Sequence, residues 1–433
     1  MSVQDVPVFL ALPSLTPAIA LEVLPRGLTI HRLYIQADGR THDLVVGPED
    51  PKGHLTQKYT NTIVGRYANR LPTTPEPFIL SKNNLSSTFS PQSNESPTVS
   101  LHGGPTGFDS QVFTPQVDLS SVQLFTAKEK SEIEEKYNNG SGMVFSLISE
   151  SGDQGFPGKL LVEVLVSLVE PKGPQTTQPE LNLGAVVIVY RAKLLDEAVV
   201  TPINLTQHWG FNLDASLKDE IPDSLSVKEH ALTIKSDHTI ELDASGLSTG
   251  ELLPVKGTHH AHAEKASGKI GENWPESGYD HFYVFNKAPP ASQPTRISTS
   301  SLSATTSFVE ELLTKEGQQI DPVVVIASDR SGLRLTFDTN QSGVQFYSNN
   351  LTNPSKGARK KIHGGSGISG HGDSYGVGTA AFLEFHEPLG AWLHPKTQGI
   401  SKDDTLLASG EVYNNFVRMD VWFKSPGPSD LEP

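Results

Sequence analysis

The chain reads as an all-β protein with few short helices and inserted surface loops. Three observations predict it. Short β-branched or aromatic runs recur along the 433 residues, turn residues separate nearly all of them, and no long amphipathic helix interrupts the series. The 37 glycines and 31 prolines supply the turns that many short strands require. A large β-sandwich of this length can be one unit, so a single domain over 1–433 is expected, with loop insertions near 81–98, 127–142 and 357–378.

Taken in order, Ile30 to Gln36 alternates loosely, Ala37-Asp38-Gly39 supplies a turn, and Leu44-Val45-Val46-Gly47 returns as the second arm of a hairpin. Ser81 to Thr98 is rich in Ser, Asn and Pro and predicts a surface loop. Ala127 to Tyr137 is highly charged with little apolar face, which predicts an exposed helical excursion. Leu160 to Val169, Ala185 to Tyr190 and Pro322 to Ala327 are dense apolar strands. Phe282 to Phe285, Leu333 to Phe337, Val344 to Tyr347 and Val417 to Phe423 complete the series. Phe308 to Lys315 is the better amphipathic helix candidate. Gly357 to Gly378, rich in Gly, Ser and His, is a flexible loop or a rim over a site, since it leads directly towards Glu384.

Composition narrows the function classes. With no cysteine, disulfides, Cys-based zinc sites and a Cys nucleophile are excluded. A formal charge of −15 disfavours nucleic acid or an anionic membrane as the main partner, though not a small neutral ligand. No apolar run approaches the length of a membrane span. The apolar stretch Val8 to Leu12 is short, broken by Pro13 and preceded by Asp5, which makes a poor signal peptide; a cytoplasmic protein is expected.

Candidate chemistry sits where polar residues interrupt apolar runs. Glu384 lies in Phe382-Leu383-Glu384-Phe385, and a buried carboxylate is costly unless paired or used. His208 lies between Ile203-Asn204-Leu205 and Phe211-Asn212-Leu213. His102 precedes Gly103-Gly104 at the lip of a tight turn, and Asp280-His281 lies between Gly278-Tyr279 and the strand Phe282 to Phe285, an end-of-strand position. Arg66 and Arg70, four apart, point the same way, so that one binds a ligand while the other holds a loop carbonyl. The spacing of His259-His260-Ala261-His262 is not that of a helical zinc site and predicts an exposed loop. The basic run Arg359-Lys360-Lys361 reads as a solvated loop or an attractor for phosphate.

Several segments resemble those of the aldose 1-epimerases, also called galactose mutarotases. Gly65-Arg66-Tyr67-Ala68-Asn69-Arg70 is similar to the family's Gly-Arg-x-Ala-Asn-Arg. Leu101-His102-Gly103-Gly104-Pro105-Thr106-Gly107-Phe108-Asp109 is similar to its Leu-His-Gly-Gly-x-x-Gly-Phe-Asp. Gly155-Phe156-Pro157-Gly158, the stretch from Thr201 to His208, the stretch from Thr249 to Thr258, Gly278-Tyr279-Asp280-His281, Gly343-Val344-Gln345-Phe346-Tyr347 and Leu383-Glu384 follow in family order. The resemblance implies a β-supersandwich with a groove across one sheet, Glu384 as general base, His208 as general acid, and Arg70, His102 and Asp280 as holders of sugar hydroxyls. It implies a monosaccharide substrate such as glucose or galactose, no metal and no cofactor, in a monomer or homodimer. A hexose 6-phosphate or a catalytically silent sugar-binding role on the same scaffold are the alternatives. The chain departs from the family at Gln207 (usually Asn), at Trp209-Gly210, and at Phe385-His386, where Thr-Gln is usual. The acid–base pair is retained, and Trp209, by its size, is expected in the core.

Overall fold

In the computed structural model, residues 6–424 are described apart from 172–179, 222, 266, 289, 315–320 and 399–400. Two large antiparallel sheets face each other. The larger has nine strands and runs in the order Thr114–Gln116, Gly142–Ser149, Leu160–Val169, Leu181–Leu194, Glu411–Phe423, Leu333–Thr339, Val324–Ala327 and Ala231–Ile234, with Arg296–Ser298 also paired to Glu411–Phe423. The second has six: Gly210–Phe211, Ala381–His386, Gly343–Tyr347, Asp280–Phe285, Ser236–Leu242 and Ser248–Pro254. A four-stranded sheet, Val8–Ala11 to Arg40–Asp43, flanks them.

The dense runs of the sequence are strands buried on both faces. Val162, Val164, Val166, Ile188 and Tyr190 point into the core between the sheets. There they meet Trp209, Phe211, Val344, Leu383 and Phe385 from the second sheet. Their neighbours Leu165, Val187 and Val189 point the other way, into a second apolar layer under Ile133, Val309 and Leu312. Period-two alternation is invisible in such a run because both sides are dry. Trp209 is fully buried, its ring 5.2 Å from that of Phe211, as expected of a core residue.

The charged segment is a helix, Ala127–Asn138, and it is not an exposed excursion. Glu129 and Ile133 are both fully buried. Glu129 closes a capping box with Thr126 and also receives Arg191 Nη2 at 2.8 Å. Both members of that ion pair have no exposed side-chain surface. The charge pattern misleads because the helix's buried polar residue is matched by an arginine more than sixty positions away. The second helix candidate forms as the short Glu310–Leu313.

Two loop expectations are also revised. Most of the Ser/Asn-rich stretch is ordered: Phe78–Lys82 and Leu85–Phe89 form a hairpin, turning at Asn83 and Asn84 with φ of 54° and 61°, a region that asparagine tolerates. The first hairpin returns through Arg40–Asp43, while Val46 instead donates to Gly210 O. In the Gly-rich segment, Lys360 is neither solvated nor free for phosphate. Its Nζ is fully buried and lies 2.7 Å from Asp43 Oδ2, from His31 O and from Val45 O. His363 bonds Tyr375 and Asp43 O, each at 2.7 Å, so the segment is pinned to the sandwich.

Candidate active site

Strand alternation explains why an acid sits in an apolar run. Along Ala381–His386, Leu383 and Phe385 enter the inter-sheet core, so Phe382 and Glu384 must face the opposite side. The same rule splits Trp209, in the core, from His208, outside it. On that outer face lies a cavity of about 640 Å³ whose walls include His208, Glu384, His102, Arg70 and Asp280. All five residues singled out in the sequence meet there, from segments spread over more than three hundred positions.

His208 Nε2 lies 3.1 Å from Glu384 Oε1. The backbone of His208 is held on both sides, its N–H donating to Thr62 O and its carbonyl accepting from Asn61, each at 2.8 Å. Glu384 is fixed within the sheet opposite Gln345, and Gln345 Nε2 donates to Asp280 Oδ1 at 2.7 Å. Burial pushes the imidazole of His208 down to about 4. Burial also pushes the Glu384 carboxyl well above the usual carboxylate range, with Asp280 adding to the rise and Arg70 opposing it. Both shifts favour the form in which the shared proton sits on the carboxyl and the imidazole is neutral. Moving it across the contact gives carboxylate and imidazolium.

His102 adopts φ of 52° at the start of its turn, and Gly103 follows at 84°. A side chain at Gly103 would collide with Gly65 O, 2.1 Å from the position of a Cβ, so this turn can close on the Gly65 segment only with glycine. His102 Nδ1 accepts the Asn69 N–H at 3.1 Å, which leaves the proton of the neutral ring on Nε2. Burial, with His208 next, holds this ring well below the usual imidazole range and so neutral. Ligand atoms of His102, His208 and Glu384 lie within 4.8 Å of one another, close enough to surround an ion. However, the His102 tautomer offers a donor where a metal needs a lone pair. The donor set suits a hydroxyl-bearing ligand better.

Arg66 and Arg70 divide their work. Arg66 is fully buried and donates to Ser149 Oγ and to the carbonyls of Ser149, Glu150, Pro157 and Gly158, between 2.8 and 3.2 Å. Arg70 lines the cavity and forks onto Glu95, with Nε–Oε2 and Nη2–Oε1 both 2.7 Å. Sequence reasoning missed Glu95, which sits in what read as a featureless loop. It also missed Tyr59, whose ring lies 4.7 Å from His102 and 6.4 Å from His208, and which carries no motif. Gly357, Ser374 and Tyr375 of the Gly-rich segment line the cavity too. The histidine run is not simply an exposed loop: His262 is buried, and His260 and His262 bond the Tyr283 hydroxyl at 2.8 and 3.1 Å.

The chain and its fold have relatives among known proteins. A family model described as aldose 1-epimerase matches residues 18–376. Galactose mutarotase of Homo sapiens is 27% identical over 336 residues, 77% of this chain and 75% of that protein. Aldose 1-epimerase of Escherichia coli is 29% identical over 223 residues, covering 51% of this chain and 50% of that one. Among solved structures, a GalM/aldose epimerase homologue from C. elegans superposes with a TM-score of 0.63 at 18% identity, covering 93% of this chain and 95% of that chain. Galactose 1-epimerase from Lactobacillus acidophilus gives 0.57 at 16% identity, covering 93% and 91%.

Proposed function

Because the chain belongs to the aldose 1-epimerase family of isomerases, we propose that it interconverts the α and β anomers of a hexopyranose such as galactose or glucose, with Glu384 as base and His208 as acid. The observation that carries this reading is the 3.1 Å contact between the two side chains, at the wall of a cavity rich in hydrogen-bonding groups. The anomeric hydroxyl and the ring oxygen of a pyranose are bonded to the same carbon. Two groups on one wall of the cavity can therefore reach both oxygens at once.

In the ring-opening direction Glu384 takes the proton of the C1 hydroxyl, the C1–ring oxygen bond breaks, and His208 gives its proton to the departing oxygen. Glu384 is then protonated and His208 neutral, the state that burial favours. The open aldehyde rotates about C1–C2, the C5 hydroxyl attacks either face, and both protons return along the same paths. Burial lowers the proton affinity of His208 and raises that of Glu384, so it favours proton release by the acid and proton uptake by the base in the ring-opening direction. His102, as an Nε2–H donor, and Asp280 and Arg70, as acceptor and donor, hold the other hydroxyls. Each positioned acid or base contributes roughly 10²–10⁴-fold in rate.

Polarimetry on freshly dissolved α-galactose and α-glucose tests the proposal. A faster approach to the equilibrium rotation with protein present, lost in Glu384→Gln, is expected. Sugar binding without acceleration would replace the proposal with a silent binding role.

A further inference from the structure

We propose that Glu95 is a specificity-determining residue that makes the site select uncharged sugars, by occupying Arg70 and cancelling its charge at the catalytic end of the cavity. This inference rests on the cavity being a sugar site, but it concerns a residue outside the segments that carry the family resemblance.

The pair is built in. Arg70 opens the strand Arg70–Pro72, which pairs with Val99–Leu101, Arg70 lying opposite Leu101. Just before that second strand, Asn94 clamps Leu101 from both sides: its Nδ2 donates to Leu101 O at 3.0 Å, and its Oδ1 accepts from Leu101 N at 2.7 Å. Glu95 N donates to Val99 O. The turn that bears Glu95 is therefore fixed to the strand beside Arg70. On another side of the guanidinium, Gly246 at φ 78° comes so near that a Cβ there would sit 2.9 Å from Arg70 Cδ. With only 14% of its side chain exposed, Arg70 has little freedom to swing away.

Charge decides the consequence. The carboxyl groups of Glu95, Asp280 and Glu384 and the guanidinium of Arg70 all line the cavity. Of the other lining cations, Lys58 is drawn to Asp109, 3.6 Å away, and Lys356 is on an exposed loop. An arginine with a free fork is a ready receptor for a carboxylate or phosphate. Here two of its donors are already taken by a carboxylate, and an arriving anion would meet Glu95 and Asp280 as well. A neutral hydroxyl suffers no such repulsion and can still use the remaining guanidinium N–H groups and the outer lone pairs of Glu95.

The test is direct binding, by titration calorimetry, of galactose, glucose, glucuronate and glucose 6-phosphate to the wild-type protein and to Glu95→Gln, an isosteric change. The expected result is a selectivity switch. Glu95→Gln should bind one or both anionic sugars on the order of tenfold more tightly, with affinity falling as salt is added, while neutral sugars bind equally or more weakly. Arg70→Gln in the same background should erase the gain. Loss of affinity for neutral and anionic sugars alike would mean that Glu95 only braces the loop and would overturn the proposal, as would unchanged selectivity. Because binding is read without turnover, a wild-type protein that binds galactose but does not anomerise it would sink the catalytic reading alone. Failure of every sugar to bind either protein would sink both.

Discussion

Glu384 and His208 touch, and a pair that passes one proton back and forth should fail as a unit. Consider Glu384→Gln, His208→Asn and the double variant. Either single change removes one general acid–base partner, a loss of about 10³-fold within the usual 10²–10⁴ range. Independent contributions would multiply, leaving the double variant about 10⁶-fold impaired. With the side chains 3.1 Å apart and one proton between them, removal of either already stops the transfer, so the double variant should lose only about 10³–10⁴-fold. The difference, 10²–10³-fold, corresponds to a coupling of roughly 3–4 kcal/mol. The rates are read by polarimetry or by exchange NMR between anomers. Folding is checked by thermal unfolding, where Glu384→Gln should be no less stable at neutral pH. Burial favours the protonated form of that carboxyl, and an amide resembles the protonated acid. Multiplicative losses, or a single variant that keeps a tenth of the wild-type rate, would refute the shared-proton pair.

Other expectations follow from the same geometry. The pH profile of kcat/KM should be a bell belonging to the pair. Its acid limb should lie near 4, where His208 gains a second proton for the site, and its basic limb well above the usual carboxylate range, where Glu384 loses the last one. The raised Glu384 contributes stability below its unfolded value that is lost as pH rises through its folded one, so Glu384→Gln should flatten the fall in unfolding midpoint as pH rises above the ordinary carboxylate range. Arg66→Met strands four loop carbonyls and should cost about 3–5 kcal/mol in urea unfolding. Glu129→Ala leaves the Arg191 charge buried and unpaired, at a cost of about 3–5 kcal/mol. Adding Arg191→Met should restore most of that stability in the same assay.

Much of this protein was legible from its residues, and the gaps have physical causes. The strands Leu160–Val169 and Val344 to Tyr347 were readable because β-branched and aromatic runs between turns have few other structures open to them. The five cavity residues were readable through the ordered resemblance of their segments to the aldose 1-epimerases, because taken singly each has an ordinary structural reading. The helix Ala127–Asn138 was misread because its burial depends on Arg191, a partner that no local pattern reveals. Lys360 was misread for the same reason, its charge being answered by Asp43 far earlier in the chain. Glu95 carried no local signal at all.

The sequence by itself determined the fold class, the alternation that turns Glu384 out of the core while Leu383 and Phe385 turn in, and the residue types available for moving protons. These are local properties, set by side-chain shape and by the two-residue period of a strand. Only the tertiary structure decided which charges meet: His208 with Glu384, Arg70 with Glu95, Lys360 with Asp43. Electrostatic interaction and desolvation depend on distance and burial in space, and residues remote along the chain acquire both only when the sheets close on each other.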